Sequence, residues 1–162
     1  MANRPVAPEP RQAEPPWIGR AIALLGGPGV VKPRAATPLG LHAVLAAGLP
    51  GAALVHLRGN LIRIAPETAF ARAIGVSTRT FHRQRQAPRK RMSAEQSGRT
   101  WKFAEILSRA TEVFGSQEAA EEWLERAAIG LDQQRPIDLL STPPGTRLVE
   151  DLLERMAYGV YA

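Results

Sequence analysis

Phe70-Ala71-Arg72-Ala73-Ile74-Gly75-Val76-Ser77-Thr78-Arg79-Thr80-Phe81 is the stretch that decides the fold. In order it holds a small residue for close helix contact, a glycine at a turn that calls for positive φ, one aliphatic to bury and a serine to cap the next helix. That order fits a helix-turn-helix. On the helix beginning near Thr78, Arg79, His82, Arg83 and Gln86 fall at i, i+3, i+4 and i+7, so they share one face, with Phe81 on the opposite side.

From Gly75 to Arg91 the chain carries six Lys or Arg side chains, and no carboxylate occurs between Glu67 and Glu95. Arg and Gln form bidentate hydrogen bonds to guanine and adenine edges, while Arg85, Arg89, Lys90 and Arg91 suit phosphates. The set assigned to DNA is Ser77, Thr78, Arg79, Thr80, His82, Arg83, Arg85, Gln86, Arg89 and Lys90, and from Ala87 on the chain reads as a basic linker. The alternative is a solvated helix face followed by that linker.

Toward the N-terminus, Pro66-Glu67 opens the helix that ends at Ile74, with Phe70, Ala73 and Ile74 inward. Before it, Ala53, Leu54, Leu57 and Leu61 keep helical spacing over Ala52 to Leu61, and Thr37-Pro38 starts a helix over Leu39 to Ala47. Residues 1–16 hold five prolines and few large apolar side chains, a composition that cannot offset the entropy of ordering. Trp17 to Val31 predicts a short helix ending at Gly26 that docks on the fold or on a partner. The Gly26-Gly27-Pro28-Gly29 cluster has no Gly-Lys-Ser/Thr ending, so a P-loop is a weak idea. Arg20 and the glycines make the run too short to span a bilayer; a poor signal peptide is the remaining alternative.

Toward the C-terminus, Ser93-Ala94-Glu95-Gln96 opens a long helix whose Phe103, Ile106, Leu107, Ala110, Val113 and Phe114 repeat at three and four until Gly115. Ser116 caps a helix with Glu118, Glu121 and Glu122 favouring the positive end of its dipole and Ala119, Ala120, Trp123, Leu124 and Ala127 inward. Arg135 to Leu140 reads as one helical turn. A last helix starts within Thr142 to Gly145, carries Leu148, Leu152, Leu153 and Met156 on one side, and stops at Gly159. With no repeat and no strand-like alternation, the chain is predicted to be all-α.

The 162 residues carry a formal charge of +6 that hides an asymmetry. Residues 1–91 hold 14 Lys and Arg against 3 Asp and Glu, a formal +11, whereas residues 92–162 hold 7 against 12, a formal −5. The two parts should prefer opposite partners. The expected division is an N-terminal arm over 1–36, disordered or partly helical, a helix-turn-helix bundle over 37–91, and a second helical unit over 92–162. Without cysteine there is no disulfide framework and no thiolate zinc site, so a cytoplasmic protein is expected. His42, His56 and His82 sit on separate elements and no nucleophile elbow or paired-carboxylate motif occurs, so neither a metal, a cofactor nor an enzyme is expected.

The C-terminal unit resembles the Xre/MbcA/ParS toxin-binding antitoxins, partners of RES-domain toxins. The residues that carry this are Arg79-Thr80 with Arg83, Ser93 with Arg99, Ala110 with Val113-Phe114-Gly115, Ala119-Ala120 with Trp123-Leu124, Pro136-Ile137-Asp138-Leu139-Leu140, Thr142 with Gly145, and Val149, Leu152-Leu153 and Tyr158-Gly159-Val160. The likeness extends from about residue 50 to the end; Gly98 stands where the family usually has a larger polar residue, and the proline-rich arm has no counterpart.

The resemblance implies an antitoxin encoded with a RES toxin that degrades cellular NAD, a homodimer, and repression of its own operon by binding operator DNA, which would place it at the nucleoid. It implies that the C-terminal part covers the toxin's active-site entrance, a role that falls by position on Arg155, Tyr158, Gly159, Val160 and Tyr161. Two tyrosines, an Arg and a glycine suit insertion into a pocket. One alternative is that Tyr158 packs on the chain's own core; another is a stand-alone helix-turn-helix regulator whose C-terminal half only dimerises.

Overall fold

The computed structural model describes residues 15–64 and 67–159. Expectations for residues 1–14, Pro66, Val160 and Tyr161 lie outside the described residues. The elements are α1 (Pro16–Leu24), α2 (Pro38–Ala47), α3 (Gly51–Asn60), α4 (Glu67–Ile74), α5 (Thr78–Gln86), α6 (Ala94–Phe114), α7 (Gln117–Glu125), α8 (Pro136–Leu139) and α9 (Pro143–Ala157), with 3-10 turns at Pro33–Ala36 and Ile129–Leu131. Among the described residues there is no strand, only two isolated bridges, and the fold is all-α: a helix-turn-helix unit followed by a helical C-terminal unit.

Short polar side chains set the helix starts. Thr37, Ser77, Ser93, Ser116 and Thr142 each accept a hydrogen bond from the backbone N–H three residues on, at 3.1 to 3.2 Å. Each such cap stabilises by about 1 kcal/mol. Gly115, at φ 83°, ends α6.

α6 is the pillar of the molecule. Its 21 residues pack against α1, α2, α3 and α4 and against α7 and α9. Trp101, Phe103, Ile106 and Leu107 are fully buried, and Phe103 meets Phe70 of α4 edge to face at 5.3 Å. Small polar side chains let neighbours approach: Thr100, Ser108 and Thr111 return their hydroxyl protons to carbonyls four residues back, and Ser97 Oγ accepts from the Leu49 N–H at 2.8 Å. The buried side chains of residues before and after position 91 therefore form one continuous core.

Residues 16–36 belong to that core. α1 is the short helix expected from Trp17, and it takes the docked form: Ile18, Ala21, Leu24, Leu25 and Val31 are buried, and α1 lies along α6. Gly26 and Gly27, both at positive φ, reverse the chain. Two assignments need correction. Ala127, read as inward, is exposed because α7 stops at Glu125, and Leu148, grouped on one side with Leu153, is 54% exposed because α9 turns Gly145, Val149 and Leu153 to the core.

Candidate functional site

The turn between α4 and α5 is built as its sequence requires. Gly75 has φ 68°, a conformation that favours glycine, and the Arg99 guanidinium lies over it. Val76 is buried beneath it, and Ser77 Oγ both caps α5 and donates to Thr80 Oγ1 at 3.0 Å. On α5, Phe81 is half-buried and Gln84 is 3% exposed, which fixes the inner side. Ser77, Thr78, Arg79, His82, Arg83, Arg85 and Gln86 are exposed and Thr80 is half-buried, so the predicted set lies on one accessible surface. Gln84 is the residue sequence reasoning missed; its amide lies against Gly51, where a Cβ would overlap Oε1, so α3 approaches α5 at that glycine.

The chain after α5 is not a loose linker. The Gly51 and Ala52 N–H groups, orphan donors at the start of α3, bond to the carbonyls of Lys90 and Pro88 at 2.8 Å, and the Met92 N–H bonds to the Leu49 carbonyl at 2.8 Å. Arg91, read as a phosphate contact, donates from Nη1 to the Gly48 carbonyl at 2.6 Å. Arg89 and Lys90 remain exposed on this clamped segment beside α5.

Arg155 in the last turn of α9, and Tyr158 and Gly159 just after it, are exposed. Tyr158 is 78% exposed, so it does not pack on the chain's own core, and Gly159 stands at φ 70°. Lys102 joins α6 to α9, with Nζ 2.9 Å from Glu105 and 2.7 Å from Glu150. Burial opposes the Lys102 charge, yet the hydrogen bonds to Glu150 and Glu105 outweigh it and hold its pKa above the ordinary value. Asp138 takes a bidentate pair from Arg135 at 2.7 and 3.0 Å and lies 3.5 Å from Arg72 of α4.

Glu121 joins the two units. It is fully buried, and its carboxylate accepts from the backbone N–H groups of Ile62, Arg63 and Ile64 at 2.6 to 3.0 Å and from Gln117 Nε2 at 2.7 Å. Gln117 also donates to the Asn60 carbonyl, and the Asn60 side chain donates to the Leu24 carbonyl at 2.9 Å. One chain of hydrogen bonds thus runs from α1 through the end of α3 to α7. Among the described residues no three His, Asp or Glu side chains gather to hold a metal ion, and no helix is long and apolar enough to cross a membrane.

Residues 40–105 match the Antitoxin Xre-like helix-turn-helix domain, and residues 109–159 match the Antitoxin Xre/MbcA/ParS C-terminal toxin-binding domain. Antitoxin Xre of Yersinia enterocolitica serotype O:8 is 31% identical over 109 residues, which cover 67% of this chain and 70% of that relative. The chain belongs to the Xre antitoxin family. Antitoxin Xre of Photorhabdus laumondii is 27% identical over 128 residues, covering 74% of this chain and 80% of the relative. This antitoxin is a DNA-binding helix-turn-helix protein with a toxin-binding domain, and it is not an enzyme. The exposed side chains of α5 and of residues 87–90 fall in the first matched region, Arg155 to Gly159 fall in the second, and α1 lies outside both.

Proposed function

We propose that this antitoxin blocks a RES-domain toxin that degrades cellular NAD, by covering the toxin's active-site entrance with the end of α9, and represses its own operon through α5. The observation that carries the toxin assignment is Tyr158, exposed at the end of the toxin-binding domain and followed by a glycine in the left-handed conformation. A large ring with few rotatable bonds, beside Arg155, brings contact area at low entropic cost. The RES and NAD assignments rest on the resemblance of the ordered motif series from Ser93 to Val160.

On the DNA side, Arg79, Arg83 and Gln86 read base edges in the major groove, while Ser77, Thr78, Thr80, His82, Arg85, Arg89 and Lys90 supply phosphate and flanking contacts. The bonds that clamp residues 87–92 to α3 fix Arg89 and Lys90 relative to α5. The antitoxin works in the cytoplasm as a homodimer, so its operator should carry two half-sites about 34 to 36 Å apart or a multiple of that. It is at the nucleoid when bound to that operator.

Co-expression with the neighbouring RES-domain reading frame tests the reading. The two products should co-purify, and cells holding both should keep their NAD while the toxin alone depletes it. A neighbouring product that neither co-purifies nor lowers NAD would leave the stand-alone regulator as the better account.

A further inference from the structure

We propose that α1 forms one wall of the toxin-binding surface and that Trp17 is an anchor residue for the toxin. The inference rests on the reading that the toxin docks at the end of α9. α1 lies outside both matched regions, yet it is built into the fold by Ile18, Ala21, Leu24 and Leu25 against α6. Its docking sets Trp17 beside the C-terminal part of α6, where the Arg109 guanidinium lies 4.7 Å from the centre of the Trp17 ring. Arg109 is held from the other side by Glu105 at 2.9 Å.

Together α1, α6 and α9 enclose an open groove of about 510 Å³. Trp17, Arg109 and Tyr158 line it together with the partly buried Val113 and Met156. Trp, Tyr and Arg are the residue types that carry most binding energy at protein interfaces, and here one of each faces the same groove. The Trp17–Arg109 stack is already formed, so little side-chain freedom remains to be lost on binding. Met156 adapts its shape to what enters.

Continuity identifies the occupant. Every lining residue except Trp17 lies within residues 109–159, the matched toxin-binding domain, so whatever that domain binds at Tyr158 lies against Trp17 as well. Glu112 and Glu154 line the same groove and select the charge of the partner. The fitting toxin segment presents an aromatic or aliphatic side chain to Trp17 and Met156 and a basic residue to the two glutamates. Because α1 lies outside both matched regions, the contact made by Trp17 comes on top of those of the matched toxin-binding domain.

Calorimetric titration of the full-length antitoxin with the toxin encoded beside it tests this, with operator affinity and melting temperature as controls. Trp17→Ala and Trp17→Leu, the second keeping an apolar contact with α6, should each lower toxin affinity tenfold or more at unchanged operator affinity and with melting within a few degrees of wild type. Tyr158→Ala should lower toxin affinity as well. Wild-type binding by both Trp17 variants beside a weakened Tyr158→Ala would overturn the role of α1 while leaving the α9 docking reading intact. Wild-type binding by all three would overturn both. Toxin and operator affinity falling in step with melting temperature in both Trp17 variants would make α1 a packing element only, which also overturns the proposal.

Discussion

Glu121 decides how the two units of this antitoxin are joined, through a carboxylate that serves backbone donors 57 to 59 residues away. Glu121→Gln replaces one acceptor oxygen by an NH₂ group among those N–H donors. Leaving buried donors unpaired costs about 1 to 3 kcal/mol each, so the variant should lose about 2 to 4 kcal/mol, seen as a lower urea midpoint. An unchanged midpoint would mean that water replaces the carboxylate. Sequence reading put Glu121 among acids that favour a helix dipole, because Ser116, Glu118 and Glu122 already give it a local reason to be there. Its true partners are remote in sequence, and no pattern within α7 points to them. On α5 the residue scale was more legible, since Arg79, His82, Arg83 and Gln86 emerge on one exposed face as their spacing requires. Arg79→Ala or Arg83→Ala should weaken operator binding by about 1 to 3 kcal/mol if either reads a base, while Lys90→Ala should reduce the salt slope by about one. Band-shift titrations across salt concentrations separate the two effects.

Helix starts were readable because caps are local: Thr37, Ser77, Ser93, Ser116 and Thr142 all do what their positions suggest. The inward face of α9 was not, because two adjacent apolar stripes, Leu148 with Leu152 and Val149 with Leu153, satisfy helical spacing equally well. Tertiary packing chooses the second: Gly145, in whose place a larger residue would collide with the Leu139 carbonyl, lies in line with Val149 and Leu153. The chain from Ala87 on looked like a linker because its hydrogen bonds go to Gly48, Leu49, Gly51 and Ala52, some forty residues earlier in the chain, a pairing with no local signature. The α6 to α9 contact carries a pH prediction. Lys102 has a raised folded-state pKa, so its contribution is fully present below its unfolded value near 10.5 and is lost as pH rises through the folded value. Stability should therefore fall above about pH 10.5, and Lys102→Met should flatten that part of the curve in a melting series from pH 8 to 11.

At the scale of the molecule, the charge split suggested two parts with opposite partners and gave no sign of the core that the two share. α6 packs against helices from before and after position 91, and the Glu121, Gln117 and Asn60 bonds link the same two parts. Substitutions on α5 should leave toxin neutralisation intact, and loss of the end of α9 should leave operator binding intact. The most direct test is co-expression of the neighbouring toxin with the antitoxin truncated after Ala157, following cellular NAD and growth beside repression of an operator reporter. The account predicts that NAD falls and growth stops while repression persists; a truncated antitoxin that protects NAD as fully as the intact chain would contradict it.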